Sequence, residues 1–360
     1  MEEQEDNQDY TFKFILWLIL FLVFGIIIIT CKQESEDYII TVNGPVLSSQ
    51  TGVALTHEHI LVDFISADST GYFRWDKDSV IKKALPFVKG AGNKGVLTIF
   101  DCSPAYLGRD PVILKRLSEE TGINFITNTG YYGFNNIHLP AEFYALSTDK
   151  LAEIWIDEFK NGIDGTGIKP GFIKIAVDPA DNLAPKDIKL ITAAALTHLA
   201  TGLTIASHTG PDKPAFEQIE ILKKNGVDPS AFIWVHAQQS SPEKNIEAAK
   251  AGTWISLDNI RNRPEVKSGD PSSLEWYANR IAELKKQGLL NKVLISHDSG
   301  WYDPAKPDGG PFNGFTDIFE FFLPLLKEKG FTQEEIDLIL VKNPQEAFKV
   351  KVRPYLTQNK

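Results

Sequence analysis

The 360-residue chain has few cysteines and an excess of negative charge. Its two cysteines, Cys31 and Cys102, cannot build a disulfide framework or a cysteine-ligated zinc site. The formal net charge of -10 and the pI near 5.3 argue against binding to nucleic acid. No internal repeat, low-complexity stretch or linker rich in proline, glycine and serine interrupts the globular sequence. Any bound metal must therefore use nitrogen and oxygen ligands, and one domain is the simplest account of the globular part.

An apolar run from Phe14 to Thr30 precedes the globular sequence and is followed directly by Cys31. At about 1.5 Å per residue it is long enough to cross much of a bilayer. Two interpretations remain open: a bacterial lipoprotein signal with Cys31 lipidated, and an uncleaved membrane anchor. In both, the protein is membrane-anchored with its globular part on the exported, periplasmic or extracellular side. We divide the chain into a signal or anchor segment with its tether (1–37), a globular domain (38–352) and a C-terminal tail (353–360).

Short apolar runs with the length of buried strands recur along the globular sequence. They span 53–58, 95–100, 124–129, 171–177, 203–208, 231–236, 253–258 and 292–297. Amphipathic segments with helical spacing of apolar residues, ending in glycine, lie between them. Eight strands that each precede a helix predict an α/β fold, the (β/α)8 TIM barrel, as a single domain. The opening segment YIITVNGPV predicts a short N-terminal β-hairpin that closes the lower face of the barrel.

Six side chains suited to a metal site lie at the C-terminal edges of these runs, where chemistry gathers in such barrels. They are His57, His59, Lys174, His208, His236 and Asp298. Because side chains alternate along a strand, His57 and His59 point inward together while Glu58 points away. The remaining histidines, His138, His198 and His297, lack this placement, and we interpret them as structural.

Lys174 is the unusual member of this set, because an ammonium group cannot bind a cation and is costly to bury unpaired. A buried lysine can lose its proton, and the free amine can take up carbon dioxide to form a carbamate. The two carbamate oxygens can bridge two metal ions. The alternative is a lysine that reaches solvent or pairs with Asp178. Histidines on both sides in the strand order favour the carbamate.

The order of these motifs resembles the phosphotriesterase-like family of the amidohydrolase superfamily, which includes related lactonases. The landmarks THEHI, GRDP, TGYY, the lysine strand and SHD lie between TVNGPV and VKNPQEAF. The resemblance implies two divalent metal ions, one held by His57, His59 and Asp298 and one by His208 and His236, with carboxylated Lys174 bridging them. Zinc is the default for such ligands, and manganese, cobalt and iron also suit them. Relatives are often dimers, which makes a homodimer compatible with the resemblance, although no surface stripe in this sequence demands one.

The resemblance further implies a hydrolase in which a metal-bridging hydroxide attacks an ester, with Asp298 and Lys174 as catalytic residues. Asp298 can also take up the proton and pass it to the leaving group. The predicted substrate-binding residues are Tyr132 near the leaving group, Arg261 for a carboxylate or phosphate, and Trp301 and Tyr302 as an apolar wall. A structural role in a wall or a surface salt bridge stays open for these residues.

Two positions depart from the phosphotriesterases proper, in which a histidine and an aspartate pass on the proton from the metal-bound aspartate. They are Asn259 and Gln239 here, and neither side chain titrates. We therefore predict a small-molecule carboxylic ester or lactone as substrate, with phosphotriester hydrolysis as a side activity. Two alternatives remain open: another amidohydrolase chemistry of the nuclease or deaminase class, and a non-catalytic membrane-tethered barrel that binds metal.

Overall fold

The computed structural model of the chain describes residue 15 and residues 36–356. The sequence from Asp37 onward forms one compact unit. Apart from Ile15, the apolar run Phe14 to Thr30 lies outside the described residues, so the membrane anchor stays a prediction, as does the homodimer. None of the helices that are described combines the length and the hydropathy needed to span a bilayer.

The strands within residues 36–356 correspond closely to the predicted runs. They are β1 (Tyr38–Thr41), β2 (Gly44–Leu47), β3 (Val53–Leu61), β4 (Val96–Asp101), β5 (Asn124–Ile126), β6 (Asn128–Thr129), β7 (Phe172–Ala176), β8 (Ile205–His208), β9 (Phe232–Val235), β10 (Trp254–Leu257), β11 (Val293–Ile295) and β12 (Gly300–Tyr302). One predicted strand, 124–129, is interrupted at Thr127 and appears as β5 and β6.

Helices of the described sequence connect most of these strands. The α-helices are Lys77–Asn93, Pro111–Thr121, Ala141–Ala145, Thr148–Asn161, Pro185–Thr201, Asp212–Lys224, Pro242–Lys250, Leu274–Lys286, Leu323–Glu328, Gln333–Asp337 and Asn343–Phe348. Two π-helical segments, Ile318–Phe322 and Leu338–Lys342, lead into the helices that follow them. Short 3-10 turns lie at Ser48–Gln50, Tyr72–Arg74, Ile163–Gly165, Pro229–Ala231, Ala237–Gln239, Leu290–Lys292 and Pro307–Gly309.

The strands from β3 to β12 pair in parallel, in the orders β11-β10-β9-β8-β7-β6 and β12-β3-β4-β5. The two sheets meet at β5 and β6, which follow each other directly in the chain. They also meet between β11 and β3, where Asp298 N donates to His57 O at 3.1 Å and His59 N donates to Ser299 O at 2.8 Å. The parallel strands with intervening helices confirm the predicted α/β architecture and form a closed barrel.

The N-terminal end of the barrel is closed by apolar side chains. β1 and β2 pair antiparallel as the predicted hairpin, and Val42 N donates to Phe125 O at 2.9 Å. Ile39 joins a buried cluster with Phe100, Phe172 and Phe348. Burial of each phenylalanine stabilises the fold by about 1.5–3 kcal/mol. This packing leaves the opposite end of the barrel for polar side chains.

Candidate metal centre

One cavity of about 90 Å³ at the C-terminal ends of the strands brings the six predicted metal-binding side chains together. Its described lining consists of His57, His59, Val62, Phe64, Leu107, Tyr132, Lys174, His208, His236, Asp298 and Trp301. The strands β3, β7 and β8 carry four of the predicted ligands, and the other two follow β9 and β11.

Backbone conformation aims two of the ligands into the cavity. His236 directly follows β9, and Asp298 lies three residues beyond the end of β11, with φ angles of 60° and 52°. Positive φ angles are uncommon for residues other than glycine and cluster at functional sites, where surrounding contacts maintain them. Gly300 follows closely, and a Cβ atom there would lie 1.7 Å from His59 O. Only glycine lets β12 approach β3 at this point.

The tautomer of His59 follows from its hydrogen bond to Ser103. Ser103 Oγ donates its proton to Leu61 O at 2.7 Å. The same oxygen lies 2.9 Å from His59 Nδ1 and therefore accepts the proton of that nitrogen. His59 Nε2 is left with a bare lone pair, which is the form that ligates a metal.

Three electron-rich atoms converge at one end of the cavity. His59 Nε2 lies 3.2 Å from His57 Nε2 and 3.3 Å from Asp298 Oδ1. His57 Nε2 lies 3.7 Å from the same carboxylate oxygen. Lone pairs this close repel one another unless a cation lies among them. The donor set therefore fits a divalent metal ion, and the donor atoms of these three residues lie within 4.8 Å of one another.

Asp258 lies fully buried behind two of the histidines. Its carboxylate accepts a hydrogen bond from His236 N at 2.8 Å and one from Ser256 Oγ at 2.7 Å, and it lies 3.3 Å from His57 Nδ1. Burial alone would raise the pKa of Asp258, but its interactions with His57 and His236 together outweigh burial and lower the pKa to about 2. A carboxylate in this position orients the imidazole and directs the second ring nitrogen toward the cavity.

Lys174 is buried in the middle of β7, with 1% of its side chain area exposed. Its Nζ atom has no hydrogen-bond partner among the described residues. The two alternatives for this lysine do not hold, because the amine does not reach solvent and Asp178 pairs with Lys186 at 2.9 Å. An unpaired buried amine costs several kcal/mol. The arrangement fits a lysine whose amine is converted to a carbamate, and metal ions would balance the negative charge of that carbamate.

His208 and His236 form the other end of the cavity, with ring centroids 4.4 Å apart. Tyr132 OH lies 3.1 Å from His208 Nδ1. Burial lowers the pKa of His208 well below its ordinary value and that of His236 to about 4. Burial also lowers the pKa of His59. These rings are therefore neutral at neutral pH, as metal binding requires.

The Asp298 carboxylate stays ionised despite its environment. Burial alone would raise the pKa of Asp298, but the neighbouring histidines, His57 first, hold it well below its ordinary value. An ionised carboxylate beside neutral imidazoles is a suitable ligand and proton acceptor.

Glu58 points away from the cavity, as predicted, and fastens the segment that carries Asp298. Its carboxylate accepts hydrogen bonds at 2.9 Å from Ser296 Oγ, from His297 N and from Ser299 N. These donors lie on both sides of Asp298 in the chain.

The ring of His297 adds a fourth hydrogen bond to Glu58. Ile318 N donates to His297 Nε2 at 3.1 Å, so the ring proton is on Nδ1. This Nδ1 donates to Glu58 Oε1 at 2.8 Å. The ring has no free nitrogen for a metal, which agrees with its structural interpretation.

His198 and His138 also have structural contacts. His198 Nδ1 donates to Leu203 O at 2.8 Å, and its Nε2 accepts from Arg353 N at 2.9 Å. His138 Nδ1 lies 3.3 Å from Tyr106 O.

Two of the four predicted substrate-binding residues line the cavity. They are Tyr132 and Trp301. The Trp301 ring packs edge-on against His59, with centroids 6.1 Å apart, and against Phe64, with centroids 5.6 Å apart.

The other two lie outside the described lining of the cavity. Tyr302 is 8% exposed and packs under Gly309. Arg261 donates from Nε to His297 O at 3.1 Å and from its guanidinium to Asp298 O. These contacts hold the Asp298 segment, and binding of a substrate anion by Arg261 stays a prediction.

Sequence reasoning missed three contributions to the site: Asp258, Ser103 and the hydrogen bonds of Glu58 to the segment that carries Asp298. Asp258 ends the strand-like run WISLD, and the signal that identified the other ligands applies to it as well. Ser103 and Glu58 carry no such signal, because their partners are distant in sequence.

The sequence of this chain is similar to those of several known proteins. The sequence profile of the phosphotriesterase family matches residues 38–348. Aryldialkylphosphatase of Saccharolobus solfataricus is 33% identical over 313 residues, which cover 84% of this chain and 96% of that protein. The phosphotriesterase homology protein of Escherichia coli is 30% identical over 299 residues, covering 83% and 98%. Human N-acetyltaurine hydrolase is 25% identical over 346 residues, covering 85% and 96%.

Proposed function

The chain belongs to the phosphotriesterase family, and we propose that it is a metal-dependent hydrolase of carboxylic esters or lactones, with phosphotriesters as a side activity. Family membership confirms the resemblance seen in the motif order. The relatives with named activities are hydrolases of different bonds. Family membership therefore leaves the substrate of this chain open, and the residues of its cavity indicate the substrate class.

One observation carries the proposal: the bare Nε2 atoms of His57 and His59 and the Asp298 carboxylate converge beside the unpartnered amine of Lys174. We assign one metal ion to His57, His59 and Asp298, and the other to His208 and His236. Lys174, as a carbamate, would contribute oxygen ligands to both ions. When bound, such a pair of cations stabilises developing negative charge on a substrate oxygen and lowers the pKa of water.

The side chains of the chain supply proton transfer and orientation. Asp298, with its lowered pKa, accepts the proton of the attacking water and returns it to the leaving group. Tyr132, whose hydroxyl lies beside His208 in the cavity, donates a hydrogen bond to the leaving oxygen of an ester or lactone. Burial raises the pKa of Tyr132, which keeps the phenol protonated for this role.

The cavity walls favour an uncharged substrate with an apolar acyl or alkyl part. Val62, Phe64, Leu107 and Trp301 form the apolar share of the described lining. Phe64 is 49% exposed, so it presents apolar surface at the mouth. Lys174 is the single cationic side chain in the described lining, and the bridging role occupies it.

A second candidate, hydrolysis of an N-acyl amino sulfonate, follows from the relatives named N-acetyltaurine hydrolase. A sulfonate requires a fixed cation or several hydrogen-bond donors. Arg261 is the nearest candidate, but its guanidinium is engaged by the carbonyl groups of His297 and Asp298. We therefore rank this candidate below ester and lactone hydrolysis.

Phosphotriester hydrolysis ranks as a side activity because the proton relay of the phosphotriesterases proper has no counterpart here. Asn259 occupies one relay position, and its side-chain oxygen accepts a hydrogen bond from Arg263 at 2.5 Å. Gln239 occupies the other, beside Gly210. A lactone has less need of such a relay, because its alcohol stays tethered to the acid after ring opening.

The test is a side-by-side measurement of kcat/KM on metal-loaded protein with lactones, aryl esters, a paraoxon-type triester and N-acetyltaurine. We expect a lactone or ester to exceed the triester by about 100-fold or more. Asp298→Asn, as the control, must lower every activity that belongs to this cavity by about 100-fold or more. A preference for the triester or for N-acetyltaurine would overturn the proposed substrate class.

A further inference from the structure

A second and larger cavity lies beside the metal centre and shares none of its described lining residues. Its volume is about 390 Å³, within the range of small-molecule sites. The walls come from the segments after β3, β4 and β6 and from the helices Ala141–Ala145 and Thr148–Asn161 with the loops beside them. Because four aromatic side chains line it, we call it the tyrosine cavity.

Two edge-to-face aromatic pairs build the walls of the tyrosine cavity. Tyr72 and Trp75 have ring centroids 5.9 Å apart at an interplanar angle of 80°. Tyr106 and Tyr131 have centroids 5.3 Å apart at 74°. The face of an aromatic ring carries partial negative charge. Burial raises the pKa of Tyr106 and of Tyr131, so both phenols stay neutral and keep their apolar character.

The charged residues of the lining add a negative balance. Three carboxylates, Glu142, Glu158 and Asp164, face a single guanidinium, that of Arg109. Arg109 makes a bidentate pair with Glu158, at 2.8 Å and 2.7 Å, and this pair is neutral overall. Asp164 Oδ2 also lies 3.7 Å from the same guanidinium, so three carboxylates share one cation and two negative charges remain in excess.

The two remaining carboxylates are placed differently. Asp164 Oδ2 accepts a hydrogen bond from Tyr72 OH at 2.6 Å, which fixes the aromatic wall beside it. The Glu142 carboxylate has no hydrogen bond or ion pair within residues 36–356. It is exposed at the cavity and available to a ligand.

We propose that the tyrosine cavity binds a small organic ammonium ion. The Lys77 ammonium group already lies 4.8 Å from the centroid of the Tyr72 ring, so Trp75, Tyr106 and Tyr131 are the rings left for a ligand. Aromatic faces attract a cation within about 6 Å of the ring centroid, and the excess carboxylate charge excludes anions from the same space. At roughly 30 Å³ per water-sized group, the volume accommodates about a dozen non-hydrogen atoms. A quaternary ammonium group with a short polar arm fits this size and charge.

The position of this cavity brings a ligand close to the metal centre without touching it. Tyr131 and Tyr106 line the tyrosine cavity, while the next residue in each case, Tyr132 and Leu107, lines the metal cavity. The proposal does not depend on the hydrolase function, because binding is measured without turnover.

The test compares the binding of choline with that of its uncharged isostere 3,3-dimethylbutan-1-ol to the full-length protein. Calorimetry measures the binding, and so does protein fluorescence, because Trp75 lines the cavity. We expect saturable binding of choline at least about tenfold tighter than that of the alcohol. Glu142→Gln should weaken choline binding about threefold or more without a change in Tm. Glu120→Gln, an exposed carboxylate outside the lining, is the matched control and should bind choline like the parent protein.

Three results would overturn the proposal. Equal binding of choline and the alcohol would show that charge plays no part. Unchanged choline binding by Glu142→Gln would place the ligand elsewhere, for example at the metal centre. Absence of saturable choline binding by a protein with normal Tm would show that the cavity does not select an ammonium ion.

Discussion

Replacement of Glu58 by glutamine tests whether a side chain outside the cavity sets the position of Asp298. The two carboxylate oxygens of Glu58 accept hydrogen bonds from Ser296 Oγ, from His297 N and Nδ1, and from Ser299 N. Glutamine has nearly the same shape but only one accepting oxygen. Its amide group must therefore face at least one of these donors.

The expected loss of stability follows from these contacts. The orientation of glutamine that preserves most contacts keeps the three hydrogen bonds to Oε1 and turns its NH2 group toward Ser299 N. One hydrogen bond to a charged acceptor is lost, at about 1.5–3 kcal/mol, and two buried donors face each other at a further cost of about 1 kcal/mol. We expect the free energy of unfolding to fall by about 3 kcal/mol. The Ser299 side of the segment should shift and displace the Asp298 carboxylate.

Displacement of a reacting group by about 1 Å can cost about 100-fold in rate, so kcat/KM of Glu58→Gln should fall by about that factor. Denaturant titration measures the stability, metal analysis the occupancy, and initial rates on the best ester or lactone the activity. Glu119→Gln, on an exposed face of the helix Pro111–Thr121, is the matched control. A Glu58→Gln protein with parental stability and parental kcat/KM would refute the reasoning.

Three further predictions address the ligands and one structural histidine. Lys174→Ala should lose most of the bound metal. A short carboxylic acid should restore part of it, because the acid can replace the carbamate. A full metal complement without the acid would contradict the bridging role. Asp298→Asn should lower kcat by about 100-fold or more and reduce metal content much less; equal losses would leave Asp298 a ligand without a proton-transfer role. Burial lowers the pKa of His198 to about 4, so below pH 6.5 the unfolded chain binds the proton more readily than the fold and stability decreases. The stability difference between the parent and His198→Gln, measured by denaturant titration, should therefore shrink by about 2 kcal/mol from pH 7 to pH 5, and a constant difference would contradict this.

Much of the fold could be predicted because local patterns are sufficient for it. Buried parallel strands are short apolar runs, and their ends are visible where the first polar residue follows. The runs that end in His208 and His236 illustrate this, since each ligand lies at or just after its observed strand. The sequence did not predict the interruption at Thr127 or the left-handed backbone of Asp298, because each depends on how neighbouring strands close the barrel.

The predicted substrate-binding residues show where local sequence patterns no longer suffice to place a side chain in the cavity. Trp301 and Tyr302 are adjacent aromatic residues of one segment, yet only Trp301 lines the cavity within the described residues. Their side chains point to opposite sides of β12, and the register of β12 against β3 decides which one faces the site. Arg261 shows the same limit, because its partners are backbone carbonyl groups 36 and 37 residues away.

The sequence by itself determined which ligands are available. Histidines, an aspartate and one lysine lie at the strand ends, and two cysteines are too few for a cysteine-ligated site, so any metal site must use nitrogen and oxygen ligands. Tertiary structure alone decided which lone pairs face one another, since the Ser103 contact that orients His59 spans 44 residues and the Glu58 contact that holds the Asp298 segment spans 239. The type of residue at the end of a strand is a local property of the chain. Orientation depends on hydrogen bonds that exist only after distant strands have closed into the barrel.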